Sequence, residues 1–595
     1  MPAAVSAAQG DIPLAVPWAR AEEVPHLRME GATAVVGDTV YLLGGVGPGD
    51  TLSAIRTVDR FDQQSRRWSL GPDLPRAVSH IQAAVVGDST VWIAGGFLGR
   101  HGGPPTAEVW RLDRRLGQWV AGPSLPEARG GGALVAIGDT LFYAGGWGED
   151  RSTDRGEVWQ LLPRARAWRA RAALPVPRGD AAAISYGGRL LLLGGQQGHD
   201  RAPVDLADAW AYDPRTDRWS ELAAMPATRS HMSAAVVRWR EWVFLPGGGD
   251  IGAGRRFSDD MIGYDAERDV WRRLPSLPVP LRGANAWLHG DTLQVAGGAQ
   301  VNNAPSNRYR WSRSLRKVWM LLPGSGPAVP MPVVAVAGDE LFLFGNHRRA
   351  TWHYHLASGK WGPEDELPYR PRQGEVWDAA ADETRLEVLG GTPVGDSATV
   401  VQSFDLVRRQ WSTVTAIPPR LTNPQLLRAA GTTWLFIAPT TAGRSQPPEA
   451  ATPGVLYRSA GGGQWDSIAA VPIRYPQSVA ATDGRTLCVV GGINQVRRWG
   501  NALQCLDFAT RRWRTSDAGE LDTIPGYVGL PGLVAFVQGR LVTYGWTGFA
   551  FDFGRNAWDS LPRTPFEADR GVLVTDGDRV LHYATATGKV WMMWP

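Results

Sequence analysis

The stretch GDTVYLLGG at residues 37–45 decides the fold of this chain, because it recurs as GDTLFYAGG at 138–146 and GDTLQVAGG at 290–298. Each copy is a turn, a run of apolar and β-prone residues, and a glycine pair, as expected of a strand entered and left by tight turns. Looser copies fill the intervals. Glycine pairs stand at 44–45, 95–96, 145–146, 194–195, 247–248 and 297–298, in steps of 51, 50, 49, 53 and 50 residues. A tryptophan after a polar turn follows each pair, at Trp68, Trp119, Trp168, Trp219, Trp271 and Trp319. Two markers locked to one period identify an internal repeat.

The period continues in weaker form through GDELFLFGN (338–346), RLEVLGG (385–391), TTWLFIAP (432–439), RTLCVVGG (485–492) and RLVTYGW (540–546). Trp361, Trp411, Trp465, Trp513, Trp558 and Trp591 keep the tryptophan place, which makes twelve repeats. The first reads as four strands: GATAVVG, TVYLLGG, IRTVDRFD and RRWSLGPDLP. A four-stranded unit of this size cannot bury both faces alone. Packing several around an axis buries them, and the result is a propeller.

Composition agrees. A chain of 595 residues with 71 Gly, 44 Pro and 28 Trp is built of short strands and turns rather than long helices. Sixty-two Lys+Arg against 58 Asp+Glu leave a net charge of +4 with no basic block, so nucleic acid is not an expected partner. No apolar run approaches the ~18 residues of a membrane span. Two cysteines, Cys488 and Cys505, exclude a disulfide scaffold or a four-cysteine zinc site. They face each other if their stretches are neighbouring antiparallel strands; otherwise they are two buried thiols.

The glycine pair, the Tyr-Asp close of the third strand (Tyr212-Asp213, Tyr264-Asp265), the tryptophan and the following Pro…Arg resemble the kelch repeat. The resemblance covers about 25–595 and implies an all-β fold of kelch-type blades, with the tryptophans filling gaps between blades. Twelve blades exceed the usual four to eight of one ring, so two tandem six-bladed propellers are expected. PWARAEEVPHLR (17–28) has the pattern of a fourth strand without its first three, and would close the first ring; KVWMLLP (317–323) would close the second. The expected organisation is a disordered segment at 1–16, a first propeller at 17–318 and a second, divergent one at 319–595. MPAAVSAAQG lacks the basic and apolar regions of a secretory signal but has the small residues found near a cleavage site. A periplasmic or secreted protein whose upstream signal was removed and a cytoplasmic one both remain open.

Loops after the fourth and second strands open on one face. In the first ring that mouth would gather Arg28, Arg76 or His80, Arg129, Arg178, Arg229 with His231, and Arg282, together with Glu149, Asp150, Asp200, Asp250, His101 and His199. The repeat also supplies an acid at the start of the third strand (Glu108, Glu157, Asp208, Asp260), a natural structural partner for a buried arginine. No metal-ligand, phosphate-loop or nucleophile-elbow motif is present, and no cofactor or metal is called for. A six-bladed bacterial kelch propeller closed by its own N-terminal strand resembles the N-acetylneuraminate epimerase (sialic acid mutarotase) family. That resemblance implies an acid and an arginine in a loop after a glycine pair, matched by Asp250 and Arg256 in GGGDIGAGRRF, with His231 nearby. Asp stands where that family has Glu, and Arg255 competes with Arg256. In the second ring, Trp499 and Trp546 lie outside the repeat series and are placed to stack on a sugar or peptide, or to stabilise their loops. Two functions are therefore expected. One is a binding protein for a glycan or a protein partner, with Arg129, Arg178, Arg229, Arg282 and Trp499 as contacts. The other is a mutarotase for an acidic sugar, with Asp250, Arg256 and His231 as its chemistry.

Overall fold

A computed structural model describes residues 18–595 except 50–51, 88, 251–256, 302–303, 317, 323, 330–331, 346–350, 357, 365, 370–377, 392–398, 418–423, 440–451, 462–463, 473–477, 492–501, 517, 526–532, 545–547, 563–570 and 595. The described residues are all β and contain no helix. They form twelve four-stranded antiparallel sheets and one short ribbon, Val78–Ser79 with Phe97–Leu98. Two compact units result, one over 17–315 and one that includes 316–595, with six sheets in each. The fold is two tandem six-bladed β-propellers.

Blade one shows the plan: Ala32–Val36, Thr39–Leu43, Val58–Asp62 and Arg67–Leu70, paired in that order. The second strand is buried on both faces and the fourth is largely exposed. That gradient is what radial stacking of sheets produces. Strand four carries the repeated tryptophan, which packs on an aromatic of strand three: Phe61–Trp68 at 4.8 Å, Tyr212–Trp219 at 5.1 Å, Tyr264–Trp271 at 4.9 Å and, in the second ring, Phe404–Trp411 at 5.1 Å. Its indole N–H reaches back to the previous blade, from Trp119 to Pro72 O, Trp168 to Pro123 O, Trp219 to Ala172 O and Trp271 to Ala223 O, all within 2.9 Å. The tryptophans are interblade fasteners.

Each ring is closed by a strand from outside its sixth repeat. Ala19–Glu23 pairs with Tyr309–Ser314 and completes blade six of the first ring. Trp18, and not the expected Trp319, occupies the sixth tryptophan place, its indole donating to Ser276 O at 2.8 Å. Trp319 instead precedes the strand that closes the second ring, and Trp591 lies on the third strand of that last blade. Met320–Leu321 pairs with Lys589–Met593 and completes the last blade of the second ring. Cys488 and Cys505 stand opposite each other on adjacent strands and form a disulfide, with Cα atoms 4.1 Å apart.

Removing residues 17–24 from the full chain takes away the edge partner of Tyr309–Ser314 and exposes an unpaired strand. The first propeller's melting transition should fall while the second's is unchanged; an unaltered melt would show that closure is energetically idle. A second expectation concerns acid. Burial pushes the His582 imidazole down to about 4, so the folded state resists a proton that the unfolded chain accepts near pH 6.5. Stability from this group is full above pH 6.5 and is lost as pH falls toward 4, by about 2 kcal/mol at pH 5. Denaturant titrations at pH 7 and pH 5 should show a smaller acid-induced loss in His582→Gln than in the parent.

Candidate functional site

Entry into each blade of the first ring repeats three positions. The first holds Arg28, Val78, Arg129, Arg178, Arg229 and Leu281, and its carbonyl accepts the N–H of the second glycine of the preceding blade's pair. Gly45→Val78, Gly96→Arg129, Gly146→Arg178, Gly195→Arg229, Gly248→Leu281 and Gly298→Arg28 all lie between 2.7 and 2.9 Å. Gly146 sits at φ +95°, and a Cβ there would fall 2.7 Å from Gly130 O. Gly130 belongs to the same blade; toward the next blade, a Cβ on Gly145 (φ +68°) would collide with Arg178 O, so the pair must be glycine for neighbouring blades to approach this closely.

The arginines at that first position are structural. Arg178 holds Asp208 through two bonds, Nη1–Oδ1 at 2.7 Å and Nη2–Oδ2 at 2.5 Å, and also donates to Gly194 O of its own blade's glycine pair. Arg28 pairs with Asp59 at 2.5 Å, Arg129 with Glu157 at 3.1 Å and Arg229 with Asp260 at 3.3 Å. Arg28, Arg129, Arg178 and Arg229 are at most 2% exposed. The expected ligand contacts Arg129, Arg178 and Arg229 are thus committed to the repeat's own acid and face no opening.

Arg282 is different. Leu281 fills the arginine slot of blade six, and buried Asn307 supplies the bond to Gly297 O at 3.0 Å. Arg282 stands one residue later and turns to the axis. There its Nη2 donates to His231 Nε2 and lies 3.9 Å from Glu30 Oε1.

The third position forms the axial ring: Glu30, His80, Gly131, Asp180, His231 and Gly283, all left-handed with φ between +48° and +69°. Their backbones are linked head to tail, Glu30 N→Gly283 O, His80 N→Glu30 O, Gly131 N→His80 O, Asp180 N→Gly131 O and Gly283 N→His231 O. Glycine suits that conformation, and four side-chain-bearing residues there are strained. All four are titratable and buried, from 2% to 7% exposed. His80 Nε2 bonds Glu30 Oε2 at 2.9 Å, while His231 Nε2 is 3.4 Å from Asp180 Oδ2 and 3.6 Å from Glu30 Oε1.

Their charges follow from burial and neighbours. Burial alone would raise Glu30, but the charge and hydrogen bond of His80, then His231 and Arg282, hold it well below the usual carboxylate range. Burial would lower His80, and Glu30 and Asp180 outweigh it, so its imidazole is raised. Asp180 is pushed up to about 6 by burial. Burial and the His80 charge drive His199 down to about 3, and burial with Arg282 drives His231 well down. One imidazole raised and two lowered thus share one cluster with two carboxyls.

Above them opens a pocket of about 70 Å³ lined by Glu30, His80 and Arg282 from the blade entries and by Phe97, Arg151 and His199 from loops after second strands. His199 stacks on Trp147 at 4.2 Å, and Arg151 lies over Phe97 at 3.8 Å while bonding Asp200 at 2.5 Å. Of the expected site residues, the structure brings His231 and Arg282 together here. Asp250 is buried and accepts from Thr228 Oγ1 at 2.6 Å. Arg256, Trp499 and Trp546 lie outside the described residues. Glu30 and Asp180 were not singled out from the sequence, and His80 only as the alternative to Arg76 at the mouth. Their signal was present: each stands at the place where blades three and six have glycine.

With this geometry in place, comparison with known proteins defines the class. The Kelch motif model matches residues 28–75 and the KLHDC2/KLHL20/DRC7 Kelch-repeats domain model matches 124–298. The rings are kelch-type β-propellers. Kelch-like protein terF of Aspergillus terreus is 26% identical over 290 residues, 48% of this chain and 52% of that protein. Kelch-like protein 36 of Bos taurus is 27% identical over 255 residues, 42% of this chain and 32% of that protein. The chain therefore spans about half or less of the length of these curated relatives. The solved structure of YjhT covers 50% of this chain and 96% of its own at a TM-score of 0.41 and 14% identity, a likeness too distant to speak to function.

The two kinds of arginine should separate on mutation. Arg178→Met leaves Asp208 without its counter-charge and should cost about 3 kcal/mol in denaturant unfolding. Arg282→Met should cost less than about 1 kcal/mol, because Glu30 keeps His80. Equal losses would place Arg282 in the framework as well.

Proposed function

We propose that the first propeller binds a small hydroxylated, anionic ligand, an acidic sugar or the end of a glycan, in the axial pocket. The observation that carries this reading is Arg282, a guanidinium set one residue beyond the arginine slot at the pocket beside His80, with Arg151 on the facing wall. A guanidinium can hold a carboxylate by two parallel bonds, and the flanking imidazoles and carboxyls bond hydroxyls. A concave, narrow pocket with convergent polar groups favours a small ligand over a flat protein surface. A protein partner for the propeller faces is the weaker form of the binding reading.

Mutarotation is the second reading, and the acid–base cluster favours it. Exchange of anomers needs a proton delivered to the ring oxygen and one taken from the anomeric hydroxyl. His80, whose imidazole is raised by Glu30 and Asp180, can carry the first proton, and a neighbouring carboxylate or imidazole can take the second. In this form His80, Glu30 and His231 do the work, and Asp250 supports the wall through Thr228. The disulfide in the second ring supports residence in an oxidising, exported compartment. No helix among the described residues is long and apolar enough to cross a membrane.

The test is a calorimetric screen of free acidic and neutral sugars, a sialic acid among them, with NMR of anomeric exchange on each hit. Acidic sugars should bind, and Arg282→Met should weaken them at least ten-fold more than neutral ones. Accelerated exchange that is lost in His80→Gln adds the mutarotase activity. If no sugar binds, the small-ligand reading fails; binding without faster exchange removes only the mutarotase.

A further inference from the structure

Beneath the pocket lies a second chemical possibility that does not depend on a sugar. Asp180, His199 and His231 come from blade entries and from a loop after a second strand, and one donor atom of each lies within 4.8 Å of the other two. Ligands 2.0–2.2 Å from a tetrahedral zinc-like ion stand about 3.3–3.6 Å apart. His231 Nε2 and Asp180 Oδ2 are already at 3.4 Å.

The imidazoles have their far nitrogens tied. Gln196 Nε2 donates to Asp205 Oδ1 at 2.9 Å, which turns Gln196 Oε1 toward His199 Nδ1 at 3.1 Å. An amide oxygen only accepts, so His199 Nδ1 carries the proton and Nε2 the lone pair. That Nε2 is buried and forms no hydrogen bond. Arg282 is donor-only, so His231 Nε2 is also a lone pair, and His231 Nδ1–H donates to Ser230 Oγ at 2.6 Å. Fixing one ring nitrogen so that the other faces inward is how proteins orient metal-binding histidines. Asp180 Oδ2 is likewise buried with no hydrogen-bond partner, and Asp180 and His231 sit in the left-handed conformation. His199 Nε2, 3.4 Å from Asp200 Oδ1, and Asp180 Oδ2, 3.4 Å from His231 Nε2, are buried lone pairs without a hydrogen bond, and such atoms call for an occupant.

We propose that Asp180, His199 and His231 bind one first-row divalent transition-metal ion at the axis of the first propeller. Two imidazoles and one carboxylate suit zinc, iron(II) or cobalt(II) and not magnesium or calcium. Three protein ligands leave positions open toward the pocket, as in reactive rather than structural sites. Glu30 and His80 keep their ion pair beside it. Arg282 must leave His231 Nε2, and Glu30 Oε1, 3.9 Å away, receives it. Metal binding and sugar binding are measured separately, so failure of one leaves the other standing.

The test uses tag-free full-length protein stripped by chelator and titrated with Co²⁺. One Co²⁺ per chain should bind with visible d–d absorption, be displaced by Zn²⁺ and be unaffected by Mg²⁺. Zn²⁺ should raise the melting temperature where Mg²⁺ does not. Asp180→Asn and His199→Gln should abolish the band with near-UV dichroism retained. Ser230→Ala, which releases His231 Nδ1, should weaken Co²⁺ about ten-fold, and it decides the matter if a ligand variant does not fold. Absence of both absorption and thermal shift in folded parent protein overturns the proposal, as does parental Co²⁺ affinity in the variants.

Discussion

Everything in the first propeller depends on one backbone bond made six times, from the second glycine of each pair to the carbonyl at the entry of the next blade. It spaces the blades, and it closes the ring when Gly298 reaches Arg28. The bond is possible only because the pair has no Cβ and takes a positive φ. The entry residue, pinned by its carbonyl, projects its side chain back into its own blade. There an arginine finds the acid of the third strand and the carbonyl of its own glycine pair. The glycines and the arginine are two ends of one interblade joint.

That joint also builds the site. Two residues beyond the pinned carbonyl the chain must turn in the left-handed conformation, and six such turns meet around the axis. A residue placed there has no choice of direction: its side chain meets those of the other five blades. Glycine at Gly131 and Gly283 leaves room, and Glu30, His80, Asp180 and His231 use it. Interblade symmetry thus turns four scattered residues into one cluster, with a separation of 201 residues between neighbours such as Glu30 and His231.

The framework was legible in the sequence for the reason that the axial ring was not. Glycine pairs and tryptophans repeat because every blade needs the same joint, and repetition survives reading one sequence. The Arg129, Arg178 and Arg229 pairs with the acids that open their third strands follow from the same register, whereas Arg28 takes Asp59 from within its strand. Glu30, His80 and Asp180 differ from one another, and difference is invisible to a search for periodicity. Only superposing the repeats on the pinned carbonyl shows that they share a place with two glycines. His231 stood out as a histidine beside Arg229, while Asp250 stood out for its loop and proves to be held by Thr228.

Arg282 shows how a site emerges from a framework by a single-residue offset. In blades one, three, four and five the arginine occupies the first entry position and is consumed by the joint. In blade six Leu281 takes that position and Asn307 replaces the guanidinium's bond to the glycine pair, so the joint is complete without a cation. The displaced arginine carries its charge one step toward the axis, where Glu30 and His231 receive it. Its charge adds to burial in lowering His231 and, after His80 and His231, to what holds Glu30 low, so the offset bears on the electrostatics of the cluster as well as its composition. A framework residue and a site residue are here the same amino acid at adjacent positions of one repeat, and what separates them is whether the slot beside the glycine pair is already filled.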